Sequence, residues 1–178
     1  MRSASESIKV WQKQYLTAQG NEFRQKRINR GLSMQDVCTT IGVHRNTLRA
    51  IEAGLHDYSV MSGANLFSCL GVKTVIISEN LDILELWDNP SGIEQSKDIL
   101  RMSDASQILR CGKEIRQFRL SHGYTIKALA SCCGLHPNTL WNIEQGLVLF
   151  SMFTLHRIYY CMGVSRVTAT YNRLILQD

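Results

Sequence analysis

His44, Arg45, Asn46, Thr47 and Arg49 crowd five polar side chains into one short stretch. A guanidinium can fork onto guanine, a carboxamide onto adenine, and a threonine methyl can meet the methyl of thymine. His44 reads more simply as a helix cap with a phosphate contact than as a base reader, and Thr47 as either a base contact or an inward-facing side chain. A second run, His136, Pro137, Asn138, Thr139, Trp141 and Asn142, keeps the His, Asn and Thr but holds no Arg or Lys. Trp141 stands where the first run has Arg49, placed to stack on a sugar or to pack against a protein.

Other chemistries fare less well. Cys132, Cys133 and His136 lie close together, yet no Cys-x-x-Cys pair accompanies them, so neither a zinc site nor any other metal or cofactor is expected. The vicinal Cys132 and Cys133 could respond to oxidants, although buried, inert thiols are the default. No nucleophile elbow, phosphate loop or spaced acid pair occurs, and an enzyme is not expected.

The elements that must carry these runs come from a repeat. Shifted by 92 positions without a gap, Gly20 to Leu84 lies over Gly112 to Leu176. Arg24, Gln25, Arg27, Gly31 and Gly42 recur as Arg116, Gln117, Arg119, Gly123 and Gly134. The run His44, Asn46, Thr47, Leu48, Ile51, Glu52, Gly54, Leu55 returns as His136, Asn138, Thr139, Leu140, Ile143, Glu144, Gly146, Leu147. Ser59, Cys69 and Gly71 return as Ser151, Cys161 and Gly163.

Periodicity predicts a first helix whose inner face carries Leu16, Phe23 and Ile28, ending near Arg30 at the Gly31 stop. Ser33 caps a second helix, 34–41. Gly42 supplies a left-handed turn, and a third helix, 44–53, ends at Gly54. The second copy predicts helices over 107–121, 126–133 and 137–145, with Pro137 in a first turn where its missing N–H costs nothing. Ser59 and Ser151 cap a further helix in each copy, with Cys69 and Cys161 on its core face. Beyond Gly71 and Gly163 the period shortens to two and β-branched residues collect over 72–78 and 164–171, each followed by an asparagine, Asn80 or Asn172. These read as a short strand, or a hairpin, closing each copy. Two strands alone are marginal in water, so they should pair across the two copies or across two chains.

With 178 residues and 44% apolar side chains, the chain suits one mid-sized domain or two small ones. A net charge of +5 allows an acidic partner without requiring one. Six cysteines behind a start without an apolar leader point to reduced thiols in the cytoplasm. No run reaches the roughly 20 apolar residues of a membrane span; the nearest, 147–160, is broken by His156 and Arg157.

A short helix, a glycine turn and a second short helix is the geometry that lets the front of a helix enter a major groove. The segments 42–54 and 134–146 resemble the second half of the Cro/repressor-type (XRE) helix-turn-helix. The resemblance implies a DNA-binding transcriptional regulator of the bacterial or phage type, with double-stranded DNA as partner and association with the nucleoid when bound. It also implies that Arg27 pairs with Glu52 and Arg119 with Glu144, as scaffold rather than readers. The second copy departs from the family in its cation-free helix and in the apolar loop Leu147–Phe150, where family members are commonly polar or basic. Met34 and Ile126 replace the Gln often found early in the second helix.

The expected architecture is therefore mainly α: tandem duplicated helix-turn-helix bundles, each closed by a short β element. A first unit spans 1–87, a linker 88–102 with its polar joint at 88–92, and a second unit 103–178. One arrangement is a single-chain pseudo-dimer, its strands 72–78 and 164–170 pairing at an approximate twofold axis, on an imperfect palindrome. The alternative is a homodimer with four units. A rival reading, drawn from the likeness to antitoxin-type repressors, is a protein-interaction module that binds a partner through the β elements or the Leu147–Phe150 loop.

Overall fold

The computed structural model describes residues 4–70, 72–78, 83–88, 104–163, 166–170 and 173–177. Most of the described chain is helical. The elements are α1 (Ala4–Asn29), α2 (Met34–Ile41), α3 (Arg45–Glu52), α4 (Val60–Cys69), β1 (Val72–Ser78), β2 (Ile83–Asp88), α5 (Asp104–Ser121), α6 (Ile126–Cys133), α7 (Pro137–Glu144), α8 (Met152–Cys161), β3 (Arg166–Thr170) and β4 (Arg173–Gln177). All of the linker assigned to 88–102 except Asp88 lies outside the described residues, as do Asn80 and Asn172.

Local sequence sets the helix boundaries. Ser33 Oγ accepts the Asp36 amide at 3.1 Å while Asp36 returns a bond to the Ser33 amide at 2.7 Å, a reciprocal cap that starts α2. Gly42, at φ 70°, ends it, and Gly134 does the same for α6 at φ 62°. Thr125 caps α6 through the Ala128 amide. His44 and His136 cap α3 and α7 by accepting the Asn46 and Asn138 amides on Nδ1, both at 3.2 Å. α3 is thus a residue shorter at each end than its periodicity suggests and α7 a residue shorter at its C-terminal end alone, the outer residues serving as caps.

On α1, Tyr15, Leu16, Gln19 and Phe23 face the core. Ile28 does not share that face: it is half exposed, because five residues beyond Phe23 turn the helix about 140° away. Gly20 lets α1 cross α3 closely, since a Cβ there would collide with the Ile51 carbonyl; Gly112 meets the Ile143 carbonyl in the same way. α1 also begins much further upstream than its first core residue requires. Its early turns leave the first set of helices and pack on α8, with Trp11 edge-on to Phe153 and Tyr160 and Tyr15 stacked on His156 at 4.7 Å.

The seam between the halves is completed by backbone. Ser59 and Ser151 form an antiparallel bridge, with the Val60 amide bonded to the Phe150 carbonyl and the Met152 amide to the Tyr58 carbonyl. The four strands form a sheet in the order β2-β1-β3-β4, all neighbours antiparallel, and Ile76 faces Thr168 at the centre of the β1–β3 pair. Both Ser59/Ser151 and Ile76/Thr168 join positions 92 apart, so at two separate points the pairing keeps the same offset along the chain.

Candidate nucleic-acid interface

The site begins with the clamp that holds α3. Leu48 and Ile51 are buried, and so is the Glu52 carboxylate, which needs a partner there. Arg27 supplies it: Nε donates to Oε1 at 2.6 Å and an Nη to Oε2 at 2.9 Å, while the other Nη bonds the Leu32 carbonyl at 3.0 Å. In the second half Arg119 grips Glu144 at 2.6 and 2.8 Å and the Tyr124 carbonyl at 2.8 Å, with even less solvent access. The hydrogen bonds to the carboxylates raise both guanidinium pKa values further above their usual range. Each arginine therefore ties three segments together: its own helix, the following turn and the third helix.

With that side fixed, the other side of α3 is presented outward. His44, Arg45, Asn46 and Arg49 are exposed and Thr47 is half-buried. Because His44 spends its Nδ1 lone pair on the cap, the neutral ring carries its proton on Nε2, a donor suited to a phosphate oxygen. On α7, His136, Asn138, Thr139 and Trp141 are exposed, while Pro137 and Asn142 are half-buried.

The loops after the two helices differ. Leu55 and His56 are exposed after α3, and Leu147 and Leu149 are exposed after α7. The apolar loop assigned to Leu147–Phe150 is only partly a surface, because Phe150 is buried in the core and its carbonyl belongs to the seam. Cys161, expected on a core face, is only half-buried, whereas Cys69 is fully buried. Among the described residues no group of side chains could hold a metal ion. Burial and hydrogen bonding to Cys161 push the Cys132 thiol up to about 11, leaving it protonated at neutral pH.

Residues 23–66, from the middle of α1 to within α4, match the Helix-turn-helix family model, of the XRE type. This segment is similar to a helix-turn-helix domain. The family is one of DNA-binding regulatory domains and not of enzymes, and the match suggests a DNA-binding regulator. Neither a curated protein nor a solved structure matches the chain. No described helix is long and apolar enough to cross a membrane.

Two features around the matched segment escape sequence reasoning. Gln35 and Lys127 are exposed polar side chains at the second positions of α2 and α6. Their only signal is position in the first turn. The aromatic seam is the other: Trp11 with Tyr15 and His156 with Tyr160 are each four apart, the spacing of one helix face.

Proposed function

We propose that the chain is a sequence-specific, double-stranded-DNA-binding transcriptional regulator that reads DNA chiefly through α3. The observation that carries this reading is the orientation of α3: Arg45, Asn46 and Arg49 face solvent while the opposite side is locked by the Arg27–Glu52 clamp. Arg45 and Arg49 are the guanine readers, Asn46 the adenine reader, Thr47 the thymine-methyl contact and His44 a phosphate donor. On α7 the corresponding contacts are His136, Asn138, Thr139, Trp141 and Asn142.

The two halves, 1–87 and 103–178 joined through 88–102, act in this reading as tandem helix-turn-helix units closed by β elements. Together they make a single-chain pseudo-dimer in the cytoplasm. Support comes from the two self-equivalent meeting points, Ser59/Ser151 and Ile76/Thr168, which an approximate twofold axis would join. Such an axis would set the reading helices about 34 Å apart, one turn of B-DNA. The target is then an imperfect palindrome, since the two helices differ.

Selection of bound duplexes from a random pool, followed by gel shift, tests the proposal. Enrichment of one site whose binding weakens at least tenfold in Arg45→Ala is the expected result, with light scattering reporting one chain per site. Two chains on a doubled footprint would favour the homodimer with four units. A second reading, a module that binds protein through one or both units, is favoured by the exposed Trp141, Leu147 and Leu149. It gains if no duplex is enriched.

A further inference from the structure

Resting on that reading, we infer that the DNA target is directional: a guanine-bearing half faces α3, and a half recognised only through A·T edges faces α7. The two helices hold equivalent positions, with the same cap and the same clamp, so what separates them is the chemistry of their exposed fronts.

Guanine offers two acceptors in the major groove, N7 and O6, and the side chains that fork onto them are Arg and Lys. α3 exposes two, Arg45 and Arg49. α7 has none, for Pro137 replaces the first and Trp141, 46% exposed, replaces the second. What α7 retains is Asn138, whose carboxamide fits adenine N6 and N7, and Thr139, whose methyl suits the thymine methyl, beside the apolar edges of Pro137 and Trp141. Every one of these favours A·T over G·C.

The second half is not short of positive charge. Lys113, Arg116 and Lys127 are exposed there, and Lys127 opens α6, the helix before α7. Cations outside the reading helix can anchor phosphates, which fixes register without conveying sequence. The second half thus holds DNA firmly enough to extend the footprint while asking only for A·T pairs. A homodimer reads two identical half-sites and has no preferred direction; this chain would sit one way round, giving a regulator a fixed orientation beside the gene it controls.

The test is selection from the random duplex pool with the full chain, repeated with Arg49→Ala and Trp141→Arg. The expected wild-type site carries guanine in one half only. Base-pair swaps at those guanines weaken binding by about 5- to 150-fold each. Arg49→Ala loses a guanine from that same half, which marks the half as the one facing α3. Trp141→Arg adds an exposed cation without entering the core, so thermal unfolding verifies its fold. It is expected to introduce a guanine in the A·T half and to steepen the salt dependence by about one phosphate contact.

Guanine required in both halves of the wild-type site would overturn the inference and leave the DNA-binding reading standing. So would a folded Trp141→Arg that selects the wild-type site unchanged. Failure to enrich any duplex would instead remove the underlying reading, and the inference with it.

Discussion

α3 and α7 share a capping histidine, a buried carboxylate clamped by arginine from the first helix of their half, and a glycine-mediated close crossing with that helix. They diverge most on their outward side, Arg45 and Arg49 on one against the half-buried Pro137 and exposed Trp141 on the other, and also at Ala50 and Asn142, both half-buried. A scaffold is maintained by what it buries, so the inner faces have little room to change. An exposed front costs little stability to alter, and there the two helices have separated.

The largest effect that would sharpen this comparison lies in the clamps. Arg119→Ala should lower stability by about 3–5 kcal/mol, because it strands the buried Glu144 carboxylate. Arg27→Ala should cost less, since Glu52 keeps more solvent access, 8% against 1% for Glu144. Denaturant unfolding of the two variants measures both, and a larger loss from Arg27→Ala would break the ranking.

Acid gives the next effect and singles out the second half. His156 is buried against Tyr15 and Trp11, and desolvation lowers its pKa from 6.5 to about 4. A depressed pKa means that the unfolded state binds the proton first. The stability is therefore intact above pH 6.5 and is lost as pH falls towards 4, by about 3 kcal/mol at pH 4. The equivalent position in the first half is Ala64, so no matching histidine sits there. In thermal melts across that pH window the wild type should lose stability relative to His156→Phe as pH falls, because the variant lacks this acid-dependent loss; unchanged acid sensitivity in the variant would place its origin elsewhere.

Glycine substitutions should treat the halves alike. Gly20→Ala and Gly112→Ala each drive a Cβ into a backbone carbonyl of the third helix, and each should cost about 1–3 kcal/mol in chemical denaturation. Unequal losses would show that the two crossings differ more than their geometry indicates. Smallest are the caps. Ser33→Ala removes the hydroxyl's bond to the Asp36 amide but keeps the backbone N–H that bonds the Asp36 carboxylate, whereas Thr125→Ala removes the one side-chain bond at the start of α6, so losses near 1 kcal/mol with Thr125 the larger are expected from melting curves.

Much of the helical layout was legible in the sequence because its punctuation is chemical. Ser33, Gly42, His44 and Pro137 each perform a task that few other residues can, and they fix boundaries to within a residue. The exposed set on α3 was legible for a related reason: with Leu48 and Ile51 inside, the helical period leaves Asn46 and Arg49 outside. The interlock of the halves was not. Trp11 and Tyr15 carry helix spacing but nothing that names α8 as their partner, more than 140 residues away in sequence. Ile28 and Phe150 misled in opposite directions, since hydrophobicity alone does not say whether a side chain at the edge of a helix or in a loop turns in or out. The buried Glu52 is similar: its partner lies 25 residues back, and only the resemblance to a family pointed to Arg27.

The most direct measurement is the affinity of wild type and Arg45→Ala for the selected duplex across a salt series, with a melting temperature for each protein. Arg45 is exposed, so its truncation should leave the melting temperature unchanged while weakening binding at least tenfold and flattening the salt dependence. Equal affinity and equal salt slope for the two proteins would contradict the assignment of α3 as the helix that reads DNA.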